Sequence, residues 1–428
     1  MKTFFALFTI LLAGNVLAQR TFDVRDYGAK GDGVMQDTAA IQKALDECGK
    51  AGGGIVRFPA GVYLSRPISI RNKTTVELDA GATLQATKNQ NDFMKTPGDW
   101  LKARSNDFIP LISGRDLTDV TFTGGGTIDG GGSAWWGEAE KAREKVAGYT
   151  LPRPNLIVLQ RCRNVRMENI TLQNSPKYNF GPDECEDVVV SNVTILNPEF
   201  SANTDGIDPN NCQNVLITKC HIDTGDDNVA IKSSHKEQGR EFACEDITVT
   251  DCTFLHGHGM SIGSEELGGV RNVLVKNCTF ENTDDGIRIK SQRGKGGLVE
   301  NIRYQDITMT HVNPAVTFTC YYMFNSAQDP VQKVVPQDDT ARPMTPETPI
   351  FRDITISNMT ATCASNAGII IGLPESKISG VVFENVKISA ATGMKIENAE
   401  GIEFKNSQVS AAVGQAFLLK NAQVAGAK

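Results

Sequence analysis

The sequence has no excess of basic residues: 43 Lys and Arg stand against 50 Asp and Glu in 428 residues, a formal charge of −7. A protein that holds nucleic acid by bulk neutralisation of phosphates is thereby excluded. No apolar run approaches the roughly 20 residues a membrane-spanning helix needs, so no membrane partner is expected. Histidine is scarce, five in all, and no Cys/His group has zinc spacing; neither metal nor cofactor is expected. With hydrophobic residues at 40 % and charged ones at 22 %, the chain is neither a disordered polyampholyte nor a disulfide miniprotein. A large core is available.

What is present begins with a processing signal. Lys2 precedes a short apolar run from Phe4 to Ala13, and Val16-Leu17-Ala18 offers a small-x-small cleavage site before Gln19. Residues 1–18 therefore read as a signal peptide, and residues 19–428 as one exported domain, periplasmic or extracellular.

The mature chain is repetitive. Units with alternating apolar positions and a central Asn or Asp start at Asn164, Asp187, Asn214, Asp246, Asn272 and Asn301, spaced by 23–32 residues. A further unit starts at Asp353. Val, Ile, Thr and Phe dominate the units, with Asn or Asp at corners where a positive φ is tolerated. Such a period with an internal alternation of two describes stacked parallel strands. The predicted fold is all-β, a right-handed single-stranded parallel β-helix, with rungs about 4.8 Å apart. Asn169, Asn192, Asn277, Asn358, Asn385 and Asn406 share one phase and should form an amide ladder, which accounts for their Asn-x-Thr triplets without glycosylation where these occur. A short amphipathic helix from Asp37, as N-cap, through Cys48 and ending at Gly49 should cover the open end of the stack. The ten cysteines follow the repeat and read as buried thiols, although neighbouring rungs would permit some disulfides. A capped solenoid needs no partner, so a monomer is expected.

Chemistry enters where strands begin. Asp205-Gly-Ile, Asp227-Asn-Val, His258-Gly-Met and Asp285-Gly-Ile occupy matching positions of four repeats. Stacking places Asp205, Asp227, His258 and Asp285 in one column about 5 Å apart per step, with Asp226 beside it. Clustered carboxylates repel, so one should keep its proton near neutrality. A solvated acidic turn or a calcium site would use the same aspartates. Against both stand His258, Arg288 and Lys290, cations where a metal ion would be repelled. Protonated and ionised carboxylates beside Arg and Lys suit hydrolysis of a glycosidic bond in an anionic sugar polymer.

Four motifs in order, Asn203-Thr-Asp205, Gly225-Asp-Asp227, Gly257-His-Gly259 and Arg288-Ile-Lys290, resemble the pectin-cleaving polygalacturonases of glycoside hydrolase family 28. The wording around Asp226 and His258 is most similar to the bacterial endo-acting members; fungal members usually carry Cys where Asn228 stands. The resemblance implies an inverting hydrolase of polygalacturonate. Asp226 would be the acid, Asp205 and Asp227 would hold and deprotonate water, and His258 would tune the acid. Arg288 and Lys290, supported by Asn203, would clamp galacturonate carboxylates, and Tyr321, next to Tyr322, would touch sugar. Inversion predicts carboxyl groups about 6.5–9.5 Å apart. The competing classes are a pectate lyase, giving an ultraviolet-absorbing product, and a non-catalytic polysaccharide-binding β-helix. Exo rather than endo action depends on loops such as the one between Asn301 and Asp353.

Overall fold

Each repeat carries one side chain in two on its inner face, and no single unit is long enough to bury that face alone. Stacking buries it. The computed structural model describes residues 19–145, 151–236, 242–322 and 340–427; the expected signal peptide lies outside the described residues.

On one face, the strands Arg163–Glu168, Glu186–Ser191, Gln213–Thr218, Cys244–Thr250 and Val270–Lys276 pair in parallel succession. Thr171–Gln173, Thr194–Leu196, His221–Asp223, Thr253–Leu255 and Thr279–Glu281 do so on a second face. The third ladder climbs through Ile157–Gln160, Phe180–Asp183, a bridge at Ile207, Val229–Ser233, Met260–Glu266, Ile287–Lys290 and Val316–Thr319. The architecture is a right-handed parallel β-helix. Like residues stack in register, as in the interior column Ile195, Ile222, Phe254 and Phe280. Phe254 and Phe280 meet edge to face at 4.8 Å.

Corners are held by amides. Asn192 donates to Asn169 at 2.7 Å, Asn358 to Asp306 at 2.9 Å, Asn385 to Asn358 at 3.2 Å and Asn406 to Asn385 at 2.7 Å. All these residues have φ between 47° and 56°, where a short polar side chain is tolerated. A second ladder runs through the unit starts, with Asn164 donating to Asp119, Asn272 to Asp246 and Asn301 to Asn272.

The N-terminal helix spans Thr38–Lys50 and buries Ile41, Ala44, Leu45 and Cys48 against the first rungs. Two details differ from expectation. Asp37 precedes the helix but does not cap it, because its carboxylate accepts from the backbone N–H groups of Lys30 and Gly31 at 2.7 and 3.0 Å. The helix also runs one residue past Gly49. All ten cysteines are free thiols, nine of them buried. Several of their sulfurs point at backbone carbonyls, as Cys185 does at Leu159 and Cys212 at Pro182, both 3.3 Å, rather than forming the disulfides that adjacent rungs would permit. No helix among the described residues is long and apolar enough to cross a membrane.

Candidate active site

The third ladder builds the site. Its bridges align Phe180 with Ile207 and Ile207 with Val229, and its strands align Val229 with Met260 and Met260 with Ile287. Two residues before each lie Tyr178, Asp205, Asp227, His258 and Asp285, which the register therefore places on successive rungs. Asp226 stands beside Asp227.

The turns that carry these residues are stitched from within. Fully buried Asn228 donates to the carbonyls of Ile222 and Leu255 and accepts from the Gly259 N–H at 2.9 Å, tying the aspartate turn to the histidine turn. Gly257 and Gly259 flank His258 with φ of +65°, and a Cβ on either would lie 2.2 Å from the carbonyl oxygen of Asp226 or of Gly286. Only glycine allows that approach. The His258 N–H accordingly donates to the Asp226 carbonyl at 3.0 Å.

One oxygen from each of Asp205, Asp226 and Asp227 lies within 4.8 Å of the other two. This is tighter than the spacing expected of an inverting pair. Rung geometry sets it: Asp205 and Asp227 share a column on consecutive rungs, and Asp226 is the chain neighbour of Asp227.

The three carboxyls differ in surroundings. Asp227 is buried; its Oδ1 accepts from Ser261 at 2.8 Å and from the Arg288 guanidinium, and its Oδ2 accepts from Lys290 at 2.7 Å. Burial works to raise its pKa, but Arg288 and Lys290, helped by His258, hold it well below the usual carboxylate range. Asp205 is buried too, and burial with the charges of Asp208 and Asp226 pushes it well above that range despite Lys232. Its Oδ1 has no hydrogen-bond partner among the described residues. Asp226 is half-buried; its Oδ2 accepts from the backbone and amide N–H of Asn203 at 3.2 and 3.3 Å. His258 places Nε2 3.9 Å from Asp226 and Nδ1 3.3 Å from Asp284, and its imidazole holds Asp284 below the ordinary value.

The expected clamp is occupied by the protein itself. Arg288 donates from Nε to Ser261 at 3.0 Å, from Nη1 to Asp285 at 2.9 Å and from Nη2 to Asp227. Lys290 is bound to Asp227 and stands 5.0 Å from the Tyr322 ring centroid. Tyr322, rather than Tyr321, thus approaches the cluster. Tyr321 packs against Ile369 and Ile371 and lies under Arg293, because successive residues of an extended segment point to opposite sides.

Sequence reasoning missed a second layer. Lys232 donates to Asp208 at 2.6 Å and to Asp205 at 3.3 Å, and its Nζ stands 4.8 Å from the Tyr178 ring centroid. Asp208 is buried, and burial outweighs Lys232 to push its pKa up to about 6. Lys232 shares the phase of Lys290 in the repeat, which was the available signal. Arg153 is a further addition, donating to the carbonyls of Pro176 and Ala202 and to Asn203 Oδ1.

Residues 48–411 match the Glycosyl hydrolases family 28. The chain belongs to this family. An endo-polygalacturonase of Pectobacterium carotovorum subsp. carotovorum is 31 % identical over 376 residues, covering 84 % of this chain and 86 % of the relative. The solved polygalacturonase from Erwinia carotovora ssp. carotovora superposes with a TM-score of 0.76 at 29 % identity, over 89 % of this chain and 96 % of that one. A hyperthermoactive exopolygalacturonase from Thermotoga maritima gives 0.75 at 25 % identity, over 93 % of both chains. Membership makes the chain a glycosidase.

Proposed function

We propose that this family 28 enzyme is an exported polygalacturonase that hydrolyses α-1,4-galacturonosyl linkages of polygalacturonate within the chain and with inversion. The observation that carries this reading is the grouping of three aspartates within 4.8 Å, with Asp227 held ionised by two buried cations and burial at Asp205 favouring one retained proton within the group. Hydrolysis of a glycosidic bond requires both states at once.

Asp226, the most accessible of the three, would give its proton to the glycosidic oxygen. Asp205 and Asp227 would hold the attacking water; Asp205 Oδ1 is the available acceptor for its proton, so the reacting form is the one in which Asp226 carries a proton and Asp205 is ionised. Inversion is what the family resemblance implies; bonding argues against Asp227 as a nucleophile, since both its oxygens are engaged and neither is able to bond carbon. Water gives its proton to Asp205 as its oxygen bonds the anomeric carbon, the glycosidic oxygen leaves with the proton of Asp226, and transfer of the proton from Asp205 to Asp226 restores the starting form. His258 and Asn203 position and tune Asp226, while Arg288 and Lys290 keep Asp227 charged and have guanidinium and ammonium N–H groups besides those to offer a sugar carboxylate. Tyr322 is the better candidate for the sugar contact first assigned to Tyr321.

The endo mode draws support from the Pectobacterium relative, and the likeness to the Thermotoga enzyme favours exo action as the second reading. Incubation with polygalacturonate should yield reducing ends without ultraviolet-absorbing product, β-anomers first by NMR, and long oligomers early. Only monogalacturonate or digalacturonate would establish exo action; an unsaturated product would refute hydrolysis. Asp226→Asn should lower turnover by about three orders of magnitude or more with unchanged folding.

A further inference from the structure

Anionic substrate needs cations that the protein has not already used. Near the three aspartates, Arg288, Lys290 and Lys232 all bind the enzyme's own carboxylates. Lys177 is different. Among the described residues its ammonium has no carboxylate within salt-bridge distance and no hydrogen-bond acceptor; its contact is the face of Tyr178, 4.4 Å from the ring centroid.

Its place in the groove is fixed by register. Tyr178 stands one rung before Asp205 in the active-site column, so Lys177 falls in the column of Asp226, two rungs towards the N-terminus, roughly 10 Å away. Arg288 and Lys290 stand two rungs beyond Asp226 and Asp227 in the other direction. The backbone carrying Lys177 is rigid: its N–H donates to Ser175 Oγ at 3.3 Å, Ser175 Oγ donates to the Tyr178 carbonyl at 3.0 Å, and Trp136 Nε1 donates to the Ser175 carbonyl at 3.1 Å. The side chain is half-buried, and burial lowers its pKa while the charge of Asp205 opposes that. A half-buried cation without a counterion within salt-bridge distance is costly unless a ligand supplies the anion.

We infer that Lys177 binds the carboxylate of a uronate on the side of the scissile bond opposite Arg288 and Lys290. This rests on the polyuronate reading proposed above. It assigns the N-terminal arm of the groove a charged recognition element and makes the two arms cationic on either side of the acids.

Lys177→Met keeps the apolar stem over Tyr178 and removes only the charge. On polygalacturonate its KM should rise about tenfold, the size of one charge-assisted hydrogen bond lost, with kcat within about twofold. Lys177→Arg should recover most of the affinity, and end-labelled oligogalacturonides should be cut at shifted positions by the Met variant. Unchanged thermal midpoints would show that the fold is intact. A KM and cleavage pattern equal to wild type would overturn the inference while leaving the hydrolase reading in place. Calorimetry of trigalacturonate with Asp226→Asn and with Asp226→Asn/Lys177→Met tests the site independently of turnover. Roughly tenfold weaker binding in the double variant supports the assignment, and equal affinity refutes it. Failure of the wild-type enzyme to release reducing ends would instead count against the hydrolase reading.

Discussion

Asp208 offers a direct test of the electrostatics beneath the site. It is buried, accepts from Lys232 at 2.6 Å, and has its pKa pushed from an ordinary 3.8 to about 6, chiefly by burial. The folded protein therefore holds this proton more tightly than the unfolded chain does. Its stabilising contribution is complete below about pH 3.8 and is lost as pH rises through about 6. At about 1.4 kcal/mol per decade, the loss across that window is about 3 kcal/mol. Asp208→Asn mimics the protonated form at every pH. Urea denaturation of both proteins at pH 4.5 and pH 7.5, followed by tryptophan fluorescence, reads the difference. The variant should exceed wild type by about 1 kcal/mol at the lower pH and by about 3 kcal/mol at the higher one. Released from Asp208, Lys232 should also bear harder on Asp205, moving the acidic limb of the activity profile to lower pH. An Asn variant whose stability gap to wild type is the same at both pH values would show that Asp208 is ionised at low cost, and the electrostatic argument for the layer would be wrong.

Lys290→Ala should raise KM for polygalacturonate and also leave Asp227 leaning on Arg288 alone. The acidic limb of kcat should then move to higher pH, and stability should fall by about 3–5 kcal/mol, the usual result of breaking a buried pair; an unchanged KM and pH profile would contradict both roles. An excess of chelator should leave turnover intact, because Arg288, Lys290 and Lys232 already neutralise the aspartates that could ligate an ion; abolished activity would restore the calcium reading. At the corner residue Asn358, with φ of 53°, Ala should cost about 2 kcal/mol from the lost ladder bonds and left-handed strain. Gly should recover the strain portion, and thermal midpoints of the two variants should separate accordingly.

The fold was legible because a solenoid writes the same local problem many times. Each rung needs alternating apolar residues and a residue that accepts a positive φ at its corner, so Asn192 and Asn358 announce their positions in the same phase as their stacked partners. The column of Asp205, Asp227, His258 and Asp285 was legible for the same reason: register in a β-helix converts sequence phase directly into proximity. Where one residue had competing bonding options, phase was silent. Asp37 has the chemistry of an N-cap, yet two backbone N–H groups of the preceding turn claim its carboxylate. Tyr321 and Tyr322 differ by one position in a segment outside the repeat, and only the path of the chain decides which ring meets Lys290.

Charge pairing is the level at which sequence reading stops. Phase places Arg288 and Lys290 beside the acids but does not say which anion they serve. The structure turns them inward to Asp227, where they fix an ionised carboxylate in a buried place. Under the proposed function their remaining N–H groups stay available to a sugar carboxylate, and Lys177, with no ion-pair partner among the described residues, adds a cation that is not committed to the protein's own acids. Asn228 makes the complementary point. Read as a mark of lineage, it proves to bond Ile222, Leu255 and Gly259 at once, so that the aspartate and histidine turns cannot shift independently. A cysteine there has no amide to make those bonds, so chains carrying one must lock the two turns by other means.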